Sequence, residues 1–280
     1  MIRRPPRSTL DRSSAASDVY KRQEGKIALV TGGSRGIGEM IAAGFLSSGA
    51  KVYISSRKVE ACDSAAQKLS QEFGGECISI PADLSNLEGI ENLVKEISSK
   101  ESQLDILINN AGASWGAPID EYPEKGWDKV MDTNVKGVFF LTQKLLPLLR
   151  ESGSKENPSR VVNVGSIDGI KTGMFDAFAY GPSKAALHHL TRILAASLIK
   201  ENIIVNAIAP GPFPTWMLST GVGFGGDIDV DWDEVGKYNP SGRVGNMEDI
   251  AGLAIFLCSR ASSYTVGQTI TCDGGAVASS

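Results

Sequence analysis

The chain predicts an α/β protein: one domain built on a doubly wound parallel sheet of about seven strands, with helices on both faces. Three observations lead there. From residue 25 onward, short β-branched runs alternate with longer segments of helical periodicity, and strands separated by helical crossovers pair in parallel. The strand-like runs are nearly continuous apolar stretches rather than alternating ones, as strands covered on both faces must be. No internal repeat or linker interrupts the 280 residues, and at 42% hydrophobic they suffice for one large core.

The elements follow in order. A strand over 27–31 (Ile-Ala-Leu-Val-Thr) meets a glycine-rich turn, and a helix over 37–48 opens through Ile37, Ile41, Phe45 and Leu46. Further strands are expected at 51–56, 77–81, 104–109, 160–164, 203–209 and 268–272. Helical patterns fill 59–73, 87–100, 124–150, 182–200 and 247–258. Most strands end in small or polar residues, such as Thr31-Gly32-Gly33, Asn109-Asn110-Ala111-Gly112 and Gly165-Ser166. Ligands of open parallel sheets bind at those carboxyl ends, so one shared cleft is expected there.

The first turn is the most telling. Gly32-x-x-x-Gly36-x-Gly38 lies between a strand and a helix start, where glycines allow positive φ and a close approach to a pyrophosphate. The helix N-terminus receives the phosphate charge. Taken alone, the motif is equally a ligand-free tight turn. Tyr180 and Lys184 stand four apart at the start of a helical pattern and so share a face. An ammonium there lowers the tyrosine pKa from ~10 towards the working pH, which suits a proton donor to a forming alkoxide. Ser166 adds a hydroxyl to orient a carbonyl. The alternatives are an incidental surface pair and a turn residue.

Composition excludes several classes. No apolar run approaches the ~20 residues of a membrane span. Net charge is −4 with no basic cluster in the body, which argues against nucleic acid. The four cysteines form no C-x-x-C pair, and His188 and His189 are the only histidines, so no metal site is expected. A reducing, cytoplasmic compartment fits. Residues 1–23 carry six basic and two acidic residues, leaving 22 and 30 in a body of charge −8. This stretch reads as an organellar transit peptide or, because it resembles translated adaptor sequence, as foreign sequence. It is set apart as a disordered leader contributing nothing to folding or activity, with the functional domain at 24–280.

Together with Asn109-Asn110-Ala111-Gly112 and Asn134, these pieces resemble the short-chain dehydrogenase/reductase family over residues 25–280. The matching motifs are T-G-x-x-x-G-x-G, N-N-A-G, a serine after the fifth strand, Y-x-x-x-K and a proline-glycine after the sixth. The resemblance implies a Rossmann-like fold and a nicotinamide coenzyme. It makes Tyr180 the acid/base, Lys184 its pKa modulator and ribose ligand, Ser166 the binder of the reacting oxygen and Asn134 the anchor of a water relay. Gly32, Ser34, Arg35, Gly36, Ile37 and Gly38 would hold the phosphates. Asn110, Ala111 and Gly112 would line the adenosine, with Asp83 and Leu84 at the adenine. Pro210, Gly211, Phe213 and Thr215 would cradle the nicotinamide. A homotetramer or homodimer is implied, with 124–150 and 182–200 as its interface.

Charge argues for the coenzyme. An NAD site usually has an acid at the end of the second strand, on the ribose 2′-hydroxyl. Here that stretch reads Ile54-Ser55-Ser56-Arg57-Lys58, with no acid before Glu60. Ser56, Arg57 and the nearby Arg35 suit a 2′-phosphate, so NADP(H) is expected; otherwise Arg57 and Lys58 merely start a solvated helix. The segment 213–238, rich in glycine and carrying Trp216, Met217, Leu218, Phe224 and Trp232, reads as an apolar lid, or else as a connector.

Ser114-Trp115-Gly116, Tyr122-Pro123, Gly126-Trp127 and Tyr180-Gly181-Pro182-Ser183-Lys184 look like the family's 3-oxoacyl reductases. That implies NADPH-dependent reduction of a 3-oxoacyl thioester to the 3-hydroxyacyl product. The other readings are an NADP-dependent dehydrogenase of another secondary alcohol, sugar or polyol, and a non-catalytic NADPH-binding sensor.

Overall fold

The computed structural model describes residues 23–173, 176–221 and 230–280. Ile27–Thr31 form β1, and the turn after them feeds α1 (Gly36–Ser47). Next come β2 (Lys51–Ser55), α2 (Val59–Phe73), β3 (Cys77–Ser79), α3 (Leu87–Lys100) and β4 (Ile106–Asn109). The second half runs α4 (Glu124–Met131), α5 (Gly137–Ser152), β5 (Ser159–Val164), α6 (Tyr180–Leu198) and β6 (Ile203–Pro210). It ends with α7 (Trp232–Lys237), α8 (Met247–Leu257) and β7 (Thr269–Cys272). All seven strands pair in parallel, in the order β3-β2-β1-β4-β5-β6-β7.

Successive strand residues face opposite sides of a sheet, and both sides here are covered. Val30, Ile54, Ile108 and Val162 pack on Ile41 and Phe45 of α1, Leu69 of α2 and Leu257 of α8. Their neighbours Leu29, Tyr53, Leu107 and Val161 pack on Leu93 of α3, Leu145 of α5 and Leu198 of α6. Each fully buried large aliphatic side chain stabilises the fold by about 1.5–3 kcal/mol. The strand order reverses at β1: the chain winds outward to β3, then returns to place β4 on the other flank of β1. Connections leaving β1 and β4 therefore diverge, and a crevice opens between them at the carboxyl edge of the sheet.

Four details differ from the sequence-based expectations. The pattern over 124–150 is not one helix, because a π-turn at Asp132–Lys136 separates α4 from α5. The extra residue of such a turn rotates one side chain out of register, and here Asn134 is buried. Helix α6 begins at Tyr180 rather than at residue 182, since Pro182 sits in the first turn, where no backbone donor is lost. The acidic stretch of the expected lid contains α7, capped by Asp231, whose Oδ1 accepts from the N–H of Asp233 and of Glu234 at 3.0 and 3.1 Å. Gln23, assigned to the leader, is buried, and its N–H donates to Ser48 O at 2.9 Å. The rest of that leader and residues 222–229 of the lid, Phe224 included, lie outside the described residues.

Helix α1 can approach β1 and β4 only because residue 38 is glycine. A Cβ there would stand 2.3 Å from Gly32 O and 2.4 Å from Asn110 Nδ2. Gly38→Ala is therefore expected to cost about 1–3 kcal/mol through overpacking, read as a lower urea midpoint with an unchanged m-value.

Candidate active site

The crevice is built first from backbone. Thr31 Oγ1 donates to Ile108 O at 3.2 Å and accepts from the N–H of Asn110 and of Ala111, each at 3.0 Å. Asn110 Nδ2 returns the link, donating to Thr31 O at 2.8 Å and Gly32 O at 3.2 Å. One threonine and one asparagine thus lock the ends of β1 and β4 together. Gly32 and Gly36 take φ of 65° and 59°, a conformation that side chains penalise. Arg35 caps α1 in extended geometry with no side-chain hydrogen bond to the helix, so the first-turn N–H groups have no side-chain cap. Ser34 is half-buried in the same turn, and Ile37 packs onto the core.

Arg35 and Arg57 flank this turn, both exposed. Partial burial and then the charge of Arg57 lower the Arg35 pKa from its usual value. Ser56, at the end of β2, has a buried hydroxyl. Asp83 Oδ1 accepts from Ser85 N and Ser85 Oγ at 3.0 and 2.8 Å, which holds the turn before α3. Leu84 is buried, its carbonyl lying where a Cβ on Gly137 would sit. Thr215 closes the other side, its methyl 3.2 Å from where a Cβ on Gly36 would stand. Pro210 ends β6, and Gly211 N–H donates to Cys272 O at 3.0 Å. The Phe213 ring is buried in the core against Gly245.

The chemical groups gather after β5. Lys184 is 4% exposed, and its Nζ donates to Val164 O at 2.8 Å, 5.5 Å from the centre of the Tyr180 ring. Gly112 lies beside it, 3.7 Å separating Lys184 Nζ from the position of a Cβ there. Ser166 Oγ accepts from Asp168 N at 3.1 Å and meets the Tyr180 hydroxyl. Asn134 Nδ2 donates to Ala113 O and to Ser183 Oγ, both at 2.9 Å, while its Oδ1 accepts from Ala113 N at 2.8 Å. Both amide protons of Asn134 are therefore committed to joining the loop after β4 to α6.

Titration in the pocket corrects one expectation. Tyr180 is not drawn down by Lys184: burial, followed by the carboxylate of Asp168, pushes its pKa up to about 12, against the smaller lowering from Ser166. Burial acts on Lys184 too, lowering its pKa to about 8. At neutral pH the phenol is protonated.

Sequence reasoning missed the residues that hold these groups in place. His188 is buried, and its Nε2 accepts from Ser166 N at 3.4 Å. Glycine makes room for that ring, since a Cβ on Gly165 would fall 2.0 Å from His188 Nε2. The signal was present: His188 follows Lys184 by one helical turn and so shares its face. Asn109 Nδ2 donates to Asn163 Oδ1 and Thr142 Oγ1, and Asn163 Nδ2 donates to Thr191 Oγ1, at 2.9, 3.1 and 2.8 Å. This seam ties β4, β5, α5 and α6 behind the pocket. Among the described residues, no three His, Cys, Asp or Glu side chains gather as metal ligands, and no helix is long and apolar enough to cross a membrane.

A glycine turn after the first strand and a Tyr–Lys pair rooted beside the fifth occur here in one cleft, and that arrangement is characteristic. The chain belongs to the short-chain dehydrogenase/reductase family of oxidoreductases: a family profile described as enoyl-(acyl carrier protein) reductase matches residues 32–277. Within the family, a Pseudomonas aeruginosa rhamnolipids biosynthesis 3-oxoacyl-(acyl-carrier-protein) reductase is 50% identical over 256 residues, 91% of this chain and 98% of that one. A gluconate 5-dehydrogenase of Gluconobacter oxydans is 35% identical over 90% of this chain and 94% of its own. Among solved structures, the Pseudomonas aeruginosa RhlG/NADP active-site complex superposes with a TM-score of 0.85 at 48% identity, covering 92% of this chain and 98% of that one. L-sorbose reductase of Gluconobacter frateurii, complexed with NADPH and L-sorbose, gives 0.82 at 30% identity, covering 92% and 98%.

Burial, then the positive charge of Lys184, lowers the His188 pKa to about 4, against an ordinary value near 6.5. The unfolded chain thus takes up a proton that the folded one refuses, and stability present above about 6.5 is lost as pH falls towards 4. Urea titrations at several pH values are expected to show a shallower loss across this window for His188→Gln than for the unmodified protein.

Proposed function

We propose that the protein reduces a 3-oxoacyl thioester to the 3-hydroxyacyl product with NADPH. The observation that carries this reading is the meeting of buried Ser166 and Lys184 with half-buried Tyr180 at the sheet edge that also bears the glycine turn. The relative at 50% identity is named for this reaction, and a structure at 48% identity is an NADP complex.

The residues present fit the coenzyme. The uncapped α1 N-terminus and the positive-φ glycines suit a pyrophosphate. Arg35 and Arg57 repel one another across a space that a 2′-phosphate would neutralise. Lys184 has three donors, of which Val164 O takes one, leaving others for ribose hydroxyls. When bound, NADPH supplies the hydride that adds to the carbonyl carbon. Ser166 accepts from Asp168 N and its hydroxyl meets that of Tyr180, so the two hydroxyls together hold the carbonyl oxygen. Tyr180, protonated at neutral pH, gives its proton to that oxygen as charge develops and regains one from water. Lys184, half a nanometre from the phenol ring, stabilises the tyrosinate so formed. Asn134 acts by positioning the loop after β4 on α6.

The rim favours an apolar substrate. Tyr122 and Phe178 meet edge to face, 5.7 Å between centroids, and Phe178 lies two residues before Tyr180. A polyol or sugar substrate is the second reading, supported by the gluconate dehydrogenase and L-sorbose reductase relatives. Exposed Trp127 and Ile193 on α4 and α6 support assembly through those helices as a homodimer or homotetramer. Four free cysteines suit a reducing cytoplasm.

Tyr180→Phe removes only a hydroxyl, so coenzyme binding is expected to survive while turnover of 3-oxoacyl thioesters falls by about 10²–10⁴-fold. Lys184→Met is expected to weaken coenzyme binding as well, by calorimetric titration. Near-normal turnover by Tyr180→Phe would exclude it as the proton donor. Arg57→Asp puts an anion beside the 2′-phosphate, and the ratio of kcat/KM for NADPH to that for NADH is expected to invert; equal use of both coenzymes by the unmodified enzyme would refute the NADPH assignment.

A further inference from the structure

Arg35 does not stand free over the glycine turn. Its guanidinium carbon lies 4.3 Å from the centre of the Trp216 ring. Trp216 follows Thr215, whose methyl rests against Gly36 and whose carbonyl accepts from Leu218 N and Ser219 N at 3.1 and 3.0 Å. The root of the segment after β6 is thereby fastened to the glycine turn at two adjacent points, one of them the arginine that faces Arg57. Among the described residues no carboxylate pairs with either arginine.

Two like charges on flexible stems swing apart unless something holds them. A ring stacked on the flat face of a guanidinium provides that hold and leaves the N–H groups along its edge to grip a phosphate. A cation held in place before its ligand arrives loses less freedom on binding. We propose that Trp216 determines coenzyme specificity: by stacking on Arg35 it positions that guanidinium for the adenosine 2′-phosphate and links the base of the substrate lid to the phosphate that distinguishes NADPH from NADH. This rests on the NADP(H) reading above.

The test measures binding by calorimetry on the full chain, with 2′,5′-ADP and 5′-ADP as probes. Trp216→Leu is expected to weaken 2′,5′-ADP about 3- to 10-fold and to leave 5′-ADP within about twofold, the scale of a partly exposed cation–π contact. Trp216→Phe, which keeps an aromatic face, is expected to restore most of the loss. In an Arg35→Ala background, Trp216→Leu is expected to add nothing, because the tryptophan acts only through that side chain. If Trp216→Leu melts early, the ringless and polar Trp216→Gln takes its place. Parallel weakening of both probes, or an undiminished effect without Arg35, would overturn the proposal while leaving the NADP(H) reading intact. Equal binding of both probes by the unmodified protein would overturn that reading and this proposal with it.

Discussion

A buried ammonium with a backbone carbonyl as its anchor is the constraint around which the pocket is organised. Taking a lysine charge out of water is costly unless it is paired, yet Lys184 is nearly inaccessible and bonds to Val164 O. That bond requires the end of β5 to lie against the second turn of α6, which sets Tyr180, one turn earlier, beside Ser166. The same charge reaches the neighbouring groups. It helps to keep His188 neutral, so the imidazole accepts from the Ser166 backbone instead of competing for protons. Its own pKa, lowered by burial to about 8, lies close enough to neutrality for ligand contacts to decide its state.

The polar seam behind the pocket answers a problem that every parallel sheet has at its carboxyl edge. Strands there run out of partners, and the turns that follow must satisfy their backbone groups without water. Thr31 and Asn110 do this with side chains, joining β1 to β4, and a side-chain bond between Asn109 and Asn163 joins β4 to β5. Thr142 and Thr191 extend the seam into α5 and α6. An unpaired buried donor costs about 1–3 kcal/mol, so the residues that hold the edge closed also hold the catalytic groups in register. Structure and function share atoms here.

The glycine turn shows the same economy: it is closed by Asn110 and overlaid by Thr215 and Trp216 from the segment after β6. Moving that segment would disturb the stacking on Arg35.

Much of this was legible in the residues alone. Apolar runs and turn glycines located every strand within about two residues, because strands buried on both faces have no alternative pattern to adopt. Gly32, Gly36, Ser166, Tyr180 and Lys184 were readable because their chemistry depends on residue type and close spacing along the chain. What stayed hidden depends on distance through space. Asn134 was named through the resemblance, but its burial was not: a π-turn, held by pairing with Ala113, breaks what looked like one long helix and carries it inside. That the Phe213 ring enters the core was equally unreadable, since it depends on the space that Gly245 leaves opposite it. The Tyr180 pKa could not be read from a lysine four residues away, because burial in the folded pocket and the carboxylate of Asp168 push it up. Local pattern specified the elements; burial, which exists only once the chain is packed, decided the protonation and the partners of the side chains at the sheet edge.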